Sequence, residues 1–292
     1  MKCFICPRNC NINRDTNLGF CSSPSTIYIA KYMLHKWEEP LISGNQENKG
    51  SGAIFFSGCN LKCVYCQNYE ISSKCVGKKV SVEELTKIFK DLEKMGALNI
   101  NLVSPTHYTN QIIKALKIYT PKIPVIWNSN GYEKEETIKQ LKDYIDVYLV
   151  DFKYSNNELS TKLSKANNYV ENCQKTILQM KENQPNDIIE NGIIKKGVII
   201  RHLVLPNYIE NSFEVLDWIK TNLGTNQIIS IMSQYTPCYL AKDFPEINRN
   251  LKPIEYKRVI NHFLKLGFAN GFCQELSSAS SSFTPDFSKF RE

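Results

Sequence analysis

The sequence predicts an α/β protein built around a mostly parallel sheet. Short apolar runs suited to strands buried on both faces alternate with amphipathic segments of helical spacing. Strands that alternate with helices along a chain imply parallel pairing with right-handed crossovers. The sequence alone leaves open whether the sheet is flat or curved into a barrel. The predicted strands are Ala53–Ser57, Leu98–Val103, Ile123–Trp127, Val147–Val150, Val198–Leu205 and Ile228–Met232.

Helix boundaries are signalled most clearly by the residues around Ser81 and Gly96. Ser81 and Glu84 have the spacing of a capping box, and Gly96 supplies a stop. Apolar residues at helical spacing lie between them, and three similar stripes follow later in the chain. The four stripes are Leu85, Ile88, Phe89 and Leu92; Ile112, Ala115, Leu116 and Tyr119; Phe213, Leu216 and Ile219; and Tyr256, Val259, Ile260 and Phe263.

Composition divides the chain into two parts. Residues 1–50 are predicted to form a cysteine-rich metal-binding segment and linker, and residues 51–292 a catalytic domain with a C-terminal tail. The tail begins at Ser277 and is rich in serine. Three phenylalanines in it, Phe283, Phe287 and Phe290, indicate that it packs against the domain.

Charge and hydropathy exclude several classes of protein. No apolar run approaches the roughly 18 residues of a membrane span, and the N-terminus lacks the apolar region of a secretion signal. We therefore expect a cytoplasmic protein, whose 11 cysteines serve metal or redox chemistry. The net charge of +7 is scattered along the chain, so neither nucleic-acid nor membrane binding is expected.

Three cysteines directly follow the first predicted strand. Cys59, Cys63 and Cys66 could hold a [4Fe–4S] cluster while leaving one iron open to another ligand, which is typical of a catalytic cluster. The loop falls at the carboxyl edge of the sheet, where active sites of parallel α/β proteins form. The alternative is a zinc site completed by a distant cysteine.

Four further cysteines lie near the N-terminus, in a segment too short to bury a core of its own. A complete set of four thiolates fits structural zinc, a single iron or an auxiliary cluster, and unligated thiols are the remaining alternative. The four are Cys3, Cys6, Cys10 and Cys21.

The later predicted strands end in polar residues, which is unusual for strands that are buried on both faces. Asp151 and Lys153 end the fourth predicted strand on one face, because side chains of a strand alternate with period two. Asn128 and Ser129 follow the third strand, and Arg201 lies within the fifth. Either Asp151 and Lys153 form a structural ion pair or these residues belong to a binding site.

A dense polar and aromatic segment, residues 35–40, precedes the first predicted strand. His35, Trp37, Glu38 and Glu39 in this segment could line a substrate opening. The segment could equally be a linker that packs Trp37 onto the domain.

The spacing of Cys59, Cys63 and Cys66, with the aromatic Tyr65 before the last cysteine, resembles the radical S-adenosylmethionine (SAM) superfamily. More narrowly, Ile54–Cys59 and the residues around the three cysteines resemble the pyruvate formate-lyase-activating branch. The chain is also similar to the radical SAM members of AmmeMemoRadiSam gene clusters. The resemblance favours a partial (β/α)6 TIM-like barrel over a flat sheet.

The resemblance also implies the chemistry. The enzyme is expected to cleave SAM to methionine and a 5′-deoxyadenosyl radical, which abstracts hydrogen from a substrate, with flavodoxin or ferredoxin as electron donor. The glycine of a glycyl-radical enzyme is the first expected substrate, and another peptide, a nucleoside or a small metabolite is the alternative. A non-catalytic iron–sulfur binding protein is the alternative from another class.

The resemblance assigns SAM-binding residues to the strand ends. Tyr65 would pack near the adenine, and Asn128, Ser129, Asp151, Lys153 and Arg201 would line the methionyl end. Two departures stand out. The family's turn usually begins with aspartate where this chain has Asn128, and residues 104–108 replace the usual Gly-Gly-Glu-like turn. Hydroxyls and carbonyls of the replacement could still accept from an ammonium group.

Overall fold

A single mixed sheet organises the computed structural model, which describes residues 2–45, 50–276 and 285–290. The strands are β1 (Ile27–His35), β2 (Ser51–Phe56), β3 (Lys78–Val80), β4 (Ile100–Val103), β5 (Val125–Ser129), β6 (Val147–Asp151), β7 (Ile188–Glu190), β8 (Ile193–Leu203), β9 (Ile228–Met232) and β10 (Gly271–Cys273).

The strand order is β10-β9-β8-β6-β5-β4-β2-β1-β3, with β7 paired to β8 beside this path. Along this path every pair from β2 to β10 is parallel, whereas β1 pairs antiparallel with β2 and β3, and β7 pairs antiparallel with β8. Within the described residues, β3 and β10 end the path without pairing to each other. The sheet is therefore open, and the predicted partial barrel is confirmed, with a seventh parallel strand, β10, added to the six that were predicted.

The long helices cover the outer face of the sheet and agree with the predicted stripes, whereas α1 lies inside the sheet. They are α1 (Pro40–Ser43), α2 (Tyr69–Lys74), α3 (Val82–Met95), α4 (Thr109–Ile118), α5 (Glu135–Lys139), α6 (Asn157–Ser164), α7 (Tyr169–Asn183), α8 (Ile209–Leu223) and α9 (Pro253–Leu266). At the start of α3, Ser81 Oγ accepts from Glu84 N, and Glu84 Oε2 accepts from Ser81 N. Gly96 ends α3 in the left-handed conformation, as predicted.

Strand β1 was not predicted from the sequence. Its apolar run is interrupted by Lys31, where the pairing with β2 also shifts register. Lys31 is nevertheless fully buried, because its ammonium donates to the carbonyl of Asp286 at 2.7 Å. The described part of the tail, residues 285–290, therefore packs on β1, and Phe287 contacts Phe55. Phe283 lies outside the described residues.

One short helix, α1, lies inside the curve of the sheet. Ile42 is fully buried among interior side chains such as Ile126 and Ile199. Asn99 Nδ2 donates to the Ile42 carbonyl at 2.8 Å, which fixes the helix to the start of β4. The interior is thus closed at its lower end and open toward the carboxyl ends of the strands. No helix in the described part of the chain has both the length and the apolar character to cross a membrane.

Candidate active site

The loop that carries Cys59, Cys63 and Cys66 begins at the carboxyl end of β2 with Gly58. This glycine has φ +87°, and a Cβ there would lie 1.8 Å from Ser23 Oγ and 2.7 Å from the Cys21 carbonyl. Only glycine fits such an approach without displacing backbone. The cluster loop and the N-terminal cysteine segment are therefore in direct contact.

Each of the three sulfur atoms lies within hydrogen-bond distance of one polar side chain. Hydrogen bonds to cluster sulfurs are among the interactions by which proteins tune iron–sulfur centres. None of the three partners was assigned from the sequence, since they come from α2, from the end of α6 and from the loop after β5. The pairs are Asn130 Nδ2–Cys59 Sγ (3.3 Å), Ser164 Oγ–Cys63 Sγ (2.9 Å) and Ser72 Oγ–Cys66 Sγ (3.2 Å).

The chemistry of the three thiols suits a cluster. Burial raises the pKa of Cys63 and of Cys66 to about 11 and also raises that of Cys59. A coordinating metal would offset that cost, because bound thiols are deprotonated. No group of three or more His, Cys, Asp or Glu side chains in the described residues has an arrangement that could hold a single metal ion. A four-iron cluster makes a different demand, since each cysteine binds its own iron.

A chain of hydroxyls leads away from Cys63. The Ser164 Oγ that contacts Cys63 also lies 2.5 Å from the hydroxyl of Tyr154. The Tyr154 hydroxyl in turn lies 2.6 Å from the hydroxyl of Tyr65. Tyr65 is buried and its ring packs against Tyr235, 5.7 Å between centroids. Tyr65 therefore links the cluster loop to the cavity that it lines.

A cavity of about 620 Å³ opens beside this loop, inside the curve of the sheet. Cys63, Cys66 and Tyr65 line it on the loop side, whereas Cys59 Sγ accepts from Asn130 Nδ2 and does not line it. The remaining lining comes from residues 35 and 37–40, from the carboxyl ends of β2, β4, β5, β6, β8 and β9, from β10, and from residues 67–68, 153, 234–236, 274 and 285. Cys273 of β10 lines it as well.

Arg201 organises the charged wall of the cavity. Its guanidinium donates to Asp151 Oδ1 at 2.8 Å, to Glu38 Oε2 at 3.1 Å and to Asn128 Oδ1 at 2.7 Å. Lys153 Nζ lies 2.6 Å from Asp151 Oδ2. Asp151 therefore pairs with two cations, and the predicted residues Asn128, Asp151, Lys153 and Arg201 form one network.

The network also sets the charge states of its members. Burial alone would raise the pKa of Asp151, but Arg201 and Lys153 hold it below its ordinary value. Burial opposes the charge of Lys153, yet Asp151 keeps the pKa of Lys153 above its ordinary value. Both groups are therefore charged at neutral pH.

Ser129 is not brought to this network. It faces the opposite side of β5 from Asn128, as period-two alternation requires, and its Oγ donates to Glu133 Oε2 at 2.7 Å. Glu133 is fully buried and also accepts from Trp127 Nε1 and Thr106 Oγ1, each at 2.8 Å. This carboxylate was not singled out from the sequence, although it follows the Asn-Gly turn directly.

The four N-terminal cysteines lie near one another. Burial raises the pKa of Cys6 to about 12, and repulsion from Cys21, Cys10 and Cys3 adds to the effect. The segment is tied to the cluster loop by Arg8, whose Nε donates to the Asn60 carbonyl at 2.8 Å. The four thiols thus occupy one neighbourhood, but no three of them have an arrangement that could hold a single metal ion in this structure, and the metal stays a prediction.

His107, another residue considered from the sequence, supports the loop from the opposite side. Its Nε2 lies 2.8 Å from the carbonyl of Ser57, and burial lowers the pKa of His107 to about 3. The neutral ring can donate to that carbonyl. His107 therefore fixes the backbone at the start of the cluster loop and does not line the cavity.

Comparison with known proteins matches this chain to one protein family and to two curated relatives. The model of the radical SAM superfamily matches residues 53–219. Uncharacterized protein MJ0674 of Methanocaldococcus jannaschii is 37% identical over 269 residues, covering 89% of this chain and 73% of the relative. Uncharacterized protein MJ0808 of the same organism is 23% identical, covering 86% and 77%.

Solved structures share the fold at low identity. Streptococcus suis SuiB bound to S-adenosylmethionine aligns with TM-score 0.50 and 16% identity, covering 76% of this chain and about half (49%) of SuiB. Methylornithine synthase (PylB) aligns with TM-score 0.51 and 13% identity, covering 80% of this chain and 74% of PylB.

Proposed function

Because this chain belongs to the radical SAM superfamily, we propose that it is an enzyme of the pyruvate formate-lyase-activating type. The observation that carries the proposal is the placement of Cys63 and Cys66 on a buried loop beside a 620 Å³ cavity at the carboxyl edge of the sheet. When bound, a reduced [4Fe–4S] cluster and SAM supply one-electron cleavage to methionine and a 5′-deoxyadenosyl radical. The protein supplies binding, orientation and exclusion of water.

Cys59, Cys63 and Cys66 would hold the cluster. Their sulfur atoms form hydrogen bonds with the side chains of Asn130, Ser164 and Ser72, respectively. These contacts orient the thiolates and spread their negative charge. The loop is held at its start by His107 and at Gly58 by the N-terminal segment.

The charged wall would hold the amino-acid end of SAM. Lys153 and Asp151 offer a cation and an anion to a zwitterion, and Arg201 keeps Asp151 ionised and in place. Asn128 is held in the same network, and Tyr65 presents a buried aromatic edge for the adenine. Ser129 would contribute indirectly, because its hydroxyl holds Glu133 on the side of β5 opposite to Asn128.

The glycine of a glycyl-radical enzyme is the proposed substrate, and a flavodoxin or ferredoxin the proposed electron donor. The N-terminal cysteines Cys3, Cys6, Cys10 and Cys21 are proposed to hold a second metal, as zinc, a single iron or an auxiliary cluster. Their proximity supports this, since burial and mutual repulsion of four thiols would be relieved by a cation.

Anaerobic reconstitution followed by SAM titration tests the proposal. We expect a [4Fe–4S] spectrum that changes on addition of SAM, and 5′-deoxyadenosine on reduction with dithionite. Transfer of deuterium into 5′-deoxyadenosine from labelled candidate substrates would then identify the substrate. A reconstituted cluster with no response to SAM would leave only an iron–sulfur binding protein.

A further inference from the structure

The floor of the cavity is made by Glu38, Glu39 and α1, a part of the chain that the proposed cofactor chemistry does not use. Glu38 N donates to Ser43 Oγ at 2.9 Å, and α1 packs against β8. Glu38 Oε1 accepts from Asn101 and Asn128, both at 3.3 Å. The floor is therefore rigidly attached to the sheet, with its carboxylates facing inward.

The Glu39 carboxylate lacks the partners that the neighbouring carboxylates have. Glu39 is 7% exposed, and its Oε2 has no hydrogen-bond partner among the described residues. The nearest cation, Arg201 Nη1, lies 3.8 Å away, beyond hydrogen-bond distance. Arg201 already donates to Asp151, Glu38 and Asn128. A buried acceptor without a donor is costly, which points to a ligand that supplies one.

The charges around the cavity show the same deficit. Among the described residues that line it, three carboxylates face two cations: Glu38, Glu39 and Asp151 against Lys153 and Arg201. His35, which also lines the cavity, is neutral near pH 7, since burial lowers its pKa to about 4 despite the nearby Glu39. A three-thiolate cluster would add about −1 and SAM about +1, so these two would offset each other. Burial raises the pKa of Glu39 to about 7, so its charge is only partly formed near neutral pH, and a bound cation would complete this one unbalanced negative charge at the floor.

We propose that Glu39 is the anchor of a substrate subsite for a cationic nitrogen group, an ammonium or a guanidinium. The group belongs either to a basic side chain of a peptide or to a small-molecule amine. Trp37, 62% exposed, and Phe55 line the same cavity, and aromatic rings beside a carboxylate favour a bound cation. The subsite rests on the proposed function, because it names the substrate chemistry of the cavity that would also hold SAM.

The cofactor's own ammonium group is the other possible source of such a cation. Arg201 and Asp151 intervene between Glu39 and Lys153, and the charge of Lys153 interacts with the Cys63 thiol. Glu39 thus lies at the far end of this series from the cluster loop. A SAM zwitterion bound at Asp151 and Lys153 would leave Glu39 to the substrate.

Matched pairs of cationic and neutral probes test the subsite. N-acetyl-L-arginine amide is compared with the citrulline analogue, and n-pentylamine with 1-pentanol, by isothermal titration of the reconstituted, SAM-loaded protein. We expect at least one cation to bind about tenfold more tightly than its neutral partner, the scale of one charge-assisted hydrogen bond. A preference for the cation in the arginine pair indicates a basic side chain of a peptide. A preference for the cation in the pentyl pair indicates a small-molecule amine.

The variant Glu39→Gln keeps the shape and removes the charge. It should reduce the preference for the cation to less than about twofold, whereas the exposed control Glu136→Gln should retain it. SAM affinity should be unchanged in both variants. Equal binding of cations and neutral partners by the wild type, or loss of SAM affinity in Glu39→Gln, would overturn the subsite. The same titrations are repeated without SAM, so that failure of the subsite can be told apart from failure of the proposed function. Failure of the proposed function shows as absence of 5′-deoxyadenosine in the wild type.

Discussion

The hydroxyl oxygen of Ser164 lies 2.9 Å from the sulfur of Cys63, although 101 positions separate the two residues. Ser164 ends α6, and its backbone carbonyl also accepts from Lys62 N at 3.2 Å. One helix end thus holds both the backbone and a sulfur of the cluster loop. Hydrogen bonds to cluster sulfurs stabilise the reduced, more negative state.

Replacing Ser164 with Ala should therefore lower the reduction potential of the cluster while leaving its iron content unchanged. Redox titration of the reconstituted protein, followed by electron paramagnetic resonance, measures the shift. Ser160→Ala is the matched control, because Ser160 is buried in the same helix and donates to the Ala166 carbonyl at 2.6 Å. Equal potentials in the wild type and Ser164→Ala would show that the contact does not tune the cluster.

Replacing Lys153 and replacing Asp151 should have different effects on SAM affinity and on the stability of the fold. Lys153→Met should weaken SAM binding by about 1–3 kcal/mol, the scale of a lost charged hydrogen bond, with a smaller loss of stability. Asp151→Asn should also destabilise the fold, by up to about 3–5 kcal/mol, because Asp151 pairs with both Lys153 and Arg201. SAM titrations and denaturant melts measure the two effects. Unchanged SAM affinity in Lys153→Met would make the pair purely structural.

The N-terminal cysteines should be separable from the catalytic loop. A variant with Ala at Cys3, Cys6, Cys10 and Cys21 should lose the second metal and keep the SAM-responsive signal. Metal analysis and SAM difference spectra of the two proteins provide the comparison. If the signal disappears from a variant that stays folded, the contact through Gly58 and Arg8 makes the two sites one unit.

Glu255 should contribute stability that depends on pH. It pairs with Arg249 at 2.7 Å and accepts from Lys252 N at the start of α9, and these contacts, Arg249 foremost, lower the pKa of Glu255 to about 2. A depressed carboxyl pKa stabilises the fold above the unfolded pKa, and this contribution is lost as pH falls toward 2. Glu255→Gln should cost about 1 kcal/mol at pH 7 and less at pH 3. Urea melts at both values decide this, and an equal cost at both would contradict it.

Much of the fold followed from the sequence because the parallel strands are apolar on both faces and α3 carries its own capping residues. The six central strands and the Ser81–Gly96 helix needed no long-range information. Strand β1 did, since the ammonium of the buried Lys31 donates to a carbonyl of the distant tail. The edge strands β3, β7 and β10 are three residues each, too short for a periodic signal.

The site divides in the same way. The spacing of Cys59, Cys63 and Cys66 is local and was readable, and alternation placed Asp151 and Lys153 together. The same alternation, applied to β5, would have separated Ser129 from Asn128. Ser164 carries no local signal, because its role arises from a contact across 101 positions. Glu39 lies in the polar and aromatic segment that was considered for a substrate opening, but its position relative to Arg201 depends on the fold.

The most direct test of the central claim is 5′-deoxyadenosine formation by Cys63→Ala. Cys63 lines the cavity and its thiol is one of three proposed cluster ligands. The variant, reconstituted anaerobically and reduced with dithionite in the presence of SAM, should give no 5′-deoxyadenosine above the protein-free background, whereas the wild type should produce it. A folded variant that still forms 5′-deoxyadenosine at the wild-type rate would contradict the assignment of this loop as the catalytic centre.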